Sequence, residues 1–141
     1  MALPDTQKVS AFSNLDTGIS SQTVSNGSSY TSSTVIDNTS NRNSLMVIEA
    51  VWSYSSAPTG SRTVEIYLLR SVDGTNYEAL ADTYPITSFS PPADTSAHRL
   101  VVVQDAPMLP CKYKLGVKNV DTGQTITITL NTKAYDMVME D

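Results

Sequence analysis

The sequence has few of the residues that carry most catalytic and metal chemistry. Its 141 residues include one histidine, one cysteine and one tryptophan. A single cysteine excludes a disulfide within the chain, and one histidine with one cysteine cannot complete a Cys/His structural zinc site. Only 16% of residues are charged, and fourteen acidic residues outnumber nine basic ones. This shortage of Lys and Arg argues against a nucleic-acid partner, since phosphate binding needs cations that displace counterions.

Long apolar segments are also missing. No apolar run exceeds four residues, so we expect no membrane-spanning segment and no membrane partner. The start, MALPDTQKVS, lacks the basic region and the long apolar stretch of a secretory signal. Together with the lone cysteine, this predicts assembly in a reducing cytoplasm.

What the sequence does have is period-two alternation, which predicts β-strands and no helix. In KYKLGVKNV, Tyr113, Leu115 and Val117 share one face. In TITITLNT, Ile126 and its alternate neighbours share another. Between them, VDTGQ is typical of a tight turn, so the two strands are predicted to form a hairpin.

Two further segments, SLMVIEAVWSY and RTVEIYLLRS, are apolar on both faces, which is typical of central or covered strands. About seven to eight such strands, separated by turn residues, predict an antiparallel β-sandwich of the jelly-roll kind over residues 34–141. Surface that a lone sandwich leaves uncovered favours a homo-oligomer, and we expect a trimer. The predicted core comprises Ile48, Trp52, Ile66, Leu68, Leu100, Val102, Tyr113, Leu115, Val117, Ile126 and Ile128.

Residues 1–33 differ in composition and are predicted to form an extended N-terminal arm. The stretch SSQTVSNGSSYTSS is close to low complexity, and only scattered apolar side chains precede it. We expect these side chains to contact a partner: Leu3, Val9, Phe12, Leu15 and Ile19. The irregular stretch 81–97, with Tyr84 and Phe89, is a second candidate contact, because long loops are often functional.

RSVDGTNYEAL, residues 70–80, could be a cation loop, a phosphate loop or a turn. A calcium loop needs more oxygen ligands at alternate positions, and a phosphate loop needs a following helix. Asp73 and Gly74 are therefore predicted to form a hairpin turn, as are Asp121 and Gly123. We expect neither pair to bind a metal or a cofactor.

The remaining chemical candidates favour structural interpretations. His98 adjoins Arg99 where a strand begins, and Cys111 follows a proline at the entry to another strand. The aromatic residues of the central strands could form a sugar platform but are more often core. Three lysines on one face of KYKLGVKNV form either a solvated face or a docking strip. No set of residues predicts a catalytic site, so we expect no enzyme.

Two stretches carry a family resemblance. They are VEIYLLRSVDGTNYEAL and LPCKYKLGVKNVDTGQT, which match through Ile66–Leu69, Asp73–Tyr77 and Lys112–Leu115. In these motifs the chain resembles small β-sandwich virion proteins of tailed bacteriophages, over roughly residues 45–125. Cys111 departs from the family pattern, because a proline usually stands there.

The resemblance implies a non-enzymatic structural protein of the virion, most simply a capsid decoration (cement) protein. Its partner would be the major capsid protein, and its location the capsid surface after assembly in the host cytoplasm. Such motifs specify a fold better than a role. An alternative therefore stays open: a tail or baseplate protein, or a sandwich that binds host glycans.

Overall fold

The computed structural model describes the backbone of residues 6–9 and 16–140 and the side chains of residues 17–136. Within these ranges the chain is all-β, as predicted, with a single 3₁₀ turn at Leu80–Asp82. No helix of the described part is long and apolar enough to cross a membrane. The strands are β1 (Thr6–Val9), β2 (Asp16–Val24), β3 (Ser29–Thr31), β4 (Ile36–Asp37), β5 (Leu45–Tyr54), β6 (Thr63–Ser71), β7 (Thr87–Phe89), β8 (His98–Pro107), β9 (Lys112–Val120), β10 (Ile126–Tyr135) and β11 (Met137–Glu140).

Two antiparallel sheets pack together as the predicted sandwich. The four-stranded sheet has the order β2-β10-β5-β8, and the five-stranded sheet has the order β3-β9-β6-β7, with β4 also paired to β9. Strands β1 and β11 form a separate two-stranded sheet, which we call the terminal ribbon. The sandwich has more strands than predicted because β2, β3 and β7 were not expected; β3 and β7, with three residues each, are too short to show an alternating pattern.

The chain passes from one sheet to the other between β9 and β10, so the predicted hairpin at VDTGQ is wrong. Strand β9 pairs with β6, and β10 pairs with β5. The alternation of both strands is as predicted, with Leu115 and Ile128 fully buried. Alternation fixes which face of a strand is buried, but it carries no information about which strand lies alongside it.

The core confirms most of the predicted residues. Nine of the eleven are buried, Val102 is half-buried, and Leu100 is 45% exposed. Leu100 pairs with the buried Ala50 and so lies on the inner face of its sheet. It remains exposed because β8 is an edge strand and the facing sheet ends in the three-residue β7.

Part of the predicted N-terminal arm belongs to the sandwich instead. Strand β2 pairs with β10, and β3 pairs with β9, so residues 16–31 are not an extended arm. Only Ile19 and Val24 of β2 have buried apolar side chains. A register shift and a positive φ of 44° at Ser21 separate them by five residues, which breaks the period of two. The bulge explains why the sequence pattern concealed this strand.

The second apolar face of β6 is covered by the protein's own loop. Tyr67 and Leu69 are buried on this outer face. On the adjacent strand, a Cβ atom at Gly116 would lie 2.8 Å from Leu80 Cδ1 and 3.1 Å from Tyr67 Cβ. The Leu80 side chain therefore lies against the glycine, and the 76–86 loop covers the face that the sequence predicted to be covered.

We expect Gly116→Val to destabilise the fold by about 1–3 kcal/mol, because the new side chain would displace Leu80 and overpack the outer face. Urea denaturation measures this change. Thr127→Val, at an exposed outward position of β10, is the matched control and should be close to neutral. Equal stability of the Gly116→Val variant and the parent would show that the loop does not pack on β9.

Candidate functional site

The predicted arm residues have different locations. Leu3, Phe12 and Leu15 lie outside the described residues. Val9 ends β1, and its backbone pairs with Met137 in the terminal ribbon. Ile19 is only 2% exposed and belongs to the core, so its predicted contact with a partner is wrong.

The second candidate contact, residues 81–97, contains strand β7 and is not structureless. Tyr84 is 89% exposed, which leaves its ring available for a partner. Phe89 packs on the core instead, with its ring centroid 4.5 Å from that of Trp52. The two aromatic residues of this stretch therefore have separate roles.

Tyr84 lies on the wall of a cleft with a volume of about 590 Å³. One wall comes from β6 and the 78–86 segment, and the other from residues 103–107 of the edge strand β8. The cleft opens where β7 ends, since β7 pairs with β6 only over Val64–Ile66. Pro85 just before β7 has no N–H to donate to a further rung. No signal in the sequence showed that these segments meet.

The cleft is acidic. Arg70 and Glu78 form a bidentate ion pair on one wall, with Nε–Oε1 and Nη2–Oε2 distances of 2.6 and 3.0 Å. This hydrogen bonding lowers the pKa of Glu78. Asp82 and Asp105 add two carboxylates, so the lining carries one arginine against three acids. The carboxylate of Asp82 has no hydrogen-bond partner among the described residues, while Asp105 accepts from Tyr135.

Asp73 and Gly74 lie in a turn, but no strand pairs with β6 directly after it, so the predicted hairpin at this place is wrong. Asp73 Oδ1 accepts hydrogen bonds from the N–H groups of Thr75 and Asn76 at 2.8 and 2.7 Å. Its Oδ2 accepts from the Asn76 side chain, and Gly74 has a φ of +79°. These bonds to the charged form lower the pKa of Asp73. Both carboxylate oxygens of Asp73 thus accept hydrogen bonds within the turn.

The connection at Asp121 and Gly123 surrounds a buried polar cluster. Both residues have positive φ, and Gly123 donates its N–H to Asn26. Beneath them, the fully buried Asn119 donates from Nδ2 to the carbonyl oxygens of Val24 and Gln124, at 2.9 and 2.7 Å. Its Oδ1 accepts from the Thr122 hydroxyl at 2.7 Å. The alternating pattern does not predict this polar role, since Asn119 follows Tyr113, Leu115 and Val117 in an otherwise apolar buried row.

His98 does not assemble a nucleophile–base arrangement in the described part of the chain. Its Nε2 lies 2.7 Å from Asp94 Oδ1, and its ring stacks on Trp52 with a centroid distance of 5.5 Å. The hydrogen bond with His98 lowers the pKa of Asp94. The buried indole N–H of Trp52 has no partner among the described residues. His98 therefore packs on the core as a structural residue, with its ring against Trp52.

The other chemical candidates are structural. Cys111 is buried, and Trp52, Tyr54 and Tyr67 are too buried to form a sugar platform. The lysine face of β9 is half-buried, and Lys114 lies 4.6 Å from the centroid of the Tyr77 ring. Among the side chains that the structure describes, no three metal-binding groups cluster.

Comparisons with known proteins add no assignment. No protein-family model matches the chain, and no curated protein matches it significantly.

We expect Asp73→Asn to lower the free energy of unfolding at neutral pH, because an amide cannot accept all four hydrogen bonds, the three above and one from the Ser71 hydroxyl. The pKa of Asp73 is lower in the folded protein than its ordinary value of 3.8. Its contribution is therefore present above that value and lost as the pH falls through the folded pKa. The difference between parent and variant should shrink below pH 4.

Urea denaturation at neutral pH and at pH values below 4 checks this dependence. Asp82→Asn is the control, since that carboxylate has no hydrogen-bond partner among the described residues. A difference for Asp73→Asn that is constant with pH would contradict the assigned role of the carboxylate charge.

Proposed function

We propose that this protein is a non-enzymatic structural protein of a tailed-phage virion, a decoration protein that binds the major capsid protein on the expanded head. The resemblance to phage virion proteins supports this proposal. Its two motifs lie on adjacent strands, since β6 and β9 pair directly, with Leu68 opposite Leu115. The resemblance thus coincides with one continuous part of the fold.

The observation that carries the proposal is the terminal ribbon. Thr6–Val9 pairs with Met137–Glu140 as a two-stranded sheet that shares no hydrogen-bonded edge with the sandwich. Isolated two-stranded ribbons are marginally stable in water and gain stability when they pack on another surface. Both ends of the described chain therefore meet in an element that favours docking. In a homo-oligomer, several such weak contacts would be linked and would bind a capsid more tightly together.

We expect deletion of residues 1–9 to leave the sandwich folded and to weaken binding to expanded, undecorated capsids by about tenfold, or roughly 1.4 kcal/mol. Deletion of residues 137–141 should have the same effect, because each deletion removes one strand of the ribbon. Co-sedimentation with capsids measures binding, and circular dichroism reports the fold. Deletion of residues 1–20 would not test the ribbon alone, because it also removes the buried Ile19 from the core.

The control is Val72→Ala, which shortens an exposed side chain to which the proposal assigns no contact. Full-strength decoration by both truncated proteins would remove the ribbon from the proposal. Absence of decoration by the full chain, with retention on host glycans, would favour the attachment role instead.

We further propose that the protein is a homo-oligomer, with a trimer as the expected form. The outer face of the four-stranded sheet supports this. On β5, Leu45, Val47 and Val51 are only half-buried there. Val101, which pairs with Glu49 on the same face, is 44% exposed. Closed symmetric association is the common way to cover such a face.

We expect Val47→Lys combined with Val101→Lys to give a folded monomer, because two charges would be desolvated in the interface. Light scattering of the purified protein gives the mass. Val35→Lys together with Val72→Lys, at exposed positions outside the four-stranded sheet, is the matched control for added charge. A parent protein that is monomeric at micromolar concentration would contradict the proposal.

A further inference from the structure

The acidic cleft contains an unfilled strand position. The carbonyl oxygen of Ile66 accepts the N–H of Ile86 at 2.8 Å, so the polar groups of Ile66 face the side of β6 away from β9. Polar groups two residues apart along a strand point to the same side. The N–H and C=O of Leu68 therefore face this edge too, and Leu68 lines the cleft.

The strand position is closed at both ends. Beyond Leu68, the N–H of Arg70 donates to Glu78 Oε1, and its carbonyl oxygen accepts the N–H of Glu78, both at 2.9 Å. Before Leu68, β7 completes the ladder at Val64–Ile66. Between these two positions, the N–H and C=O of Leu68 have no partner on this edge among the described residues. An unpaired strand edge in a cleft is suited to an added extended segment.

The charges of the cleft favour a cation on that segment. Arg70 is already neutralised by Glu78 through two side-chain hydrogen bonds. The remaining charged groups of the lining are the carboxylates of Asp82 and Asp105. A lysine or arginine side chain in the cleft would be attracted to both carboxylates, whereas an acidic segment would be repelled.

Apolar side chains complete the site. Ile86 and Val103 line the cleft and are partly exposed, and Tyr84 is almost fully exposed beside them. An exposed tyrosine offers a large rigid contact surface that loses little conformational entropy on binding. The combination is that of a peptide groove, with a backbone edge, an acidic wall and an aromatic rim.

We propose that this cleft binds an extended polypeptide segment that carries a lysine or arginine. One residue of the segment pairs with Leu68, the segment enters and leaves through the open side of the cleft, and its cation lies between Asp82 and Asp105. The partner is a protein chain of this chemistry, and the site does not require the partner to be a capsid.

The test uses the full chain labelled with ¹⁵N and two blocked heptapeptides, SVTKTVS and SVTETVS. We expect the lysine peptide to shift the amide resonances of Leu68, Tyr84 and Val103, and the glutamate peptide to leave them unchanged at the same concentration. Added salt should weaken the effect, since the contact is electrostatic. Equal shifts with both peptides would overturn the cationic preference, and shifts elsewhere or none would overturn the site.

One variant and its control test the acidic wall. Asp82→Asn should weaken binding of the lysine peptide by about tenfold, the usual scale for loss of one charge contact. Asp37→Asn, an exposed carboxylate on β4, is the control and should bind as the parent does. Undiminished binding by Asp82→Asn would contradict the proposed position of the cation. A parent-like spectrum without peptide shows that each variant is folded.

Discussion

The rest of the structure depends on one buried side chain, Asn119, which joins the two sheets at one end of the sandwich. It lies on β9 of the five-stranded sheet and donates to the carbonyl oxygen of Val24 on β2 of the four-stranded sheet. Its second donor bond holds Gln124, just before β10. The backbone N–H of Asn119 donates to the carbonyl oxygen of Ser28, and its backbone C=O accepts from the N–H of Gly27. The same residue therefore also fixes the turn before β3. A buried amide with all these partners specifies one arrangement, because any shift would leave polar groups unsatisfied.

This anchoring divides the molecule into a fixed end and an open side. At the fixed end the chain passes between the sheets, and the polar groups there satisfy one another. Along the open side, β7 is short, the inner face of β8 is half covered at Leu100, and the cleft lies beyond. The terminal ribbon shares no sheet with either half. The cleft and the terminal ribbon thus include none of the residues that bond Asn119, and a binding or structural role fits this division.

The sequence predicted what depends on local pattern and missed what depends on distant pairing. The inward rows of β5, β6, β9 and β10 follow from alternation alone, and they are confirmed. The path of the chain after Val120 was wrong, because a hairpin and an inter-sheet connection use the same turn residues. Strand β2 was missed because a bulge at Ser21 interrupts its period. The cleft was not predictable, since its lining brings together Leu68 of one sheet and Val103 of the other. Of the lining residues, only Tyr84 was predicted to contact a partner.

The central claim, that Asn119 locks the two sheets together, is tested most directly by the unfolding free energy of Asn119→Leu. The substitution keeps the approximate size of the side chain and removes its donor bonds to the carbonyl oxygens of Val24 and Gln124, of which Gln124 keeps the Thr122 hydroxyl as a donor. The expected loss is about 1–3 kcal/mol, the usual cost of leaving a buried polar group unsatisfied. Asn131→Leu, which removes a partly exposed bond to Glu49, should cost much less. Equal and small losses for the two variants would contradict the claim.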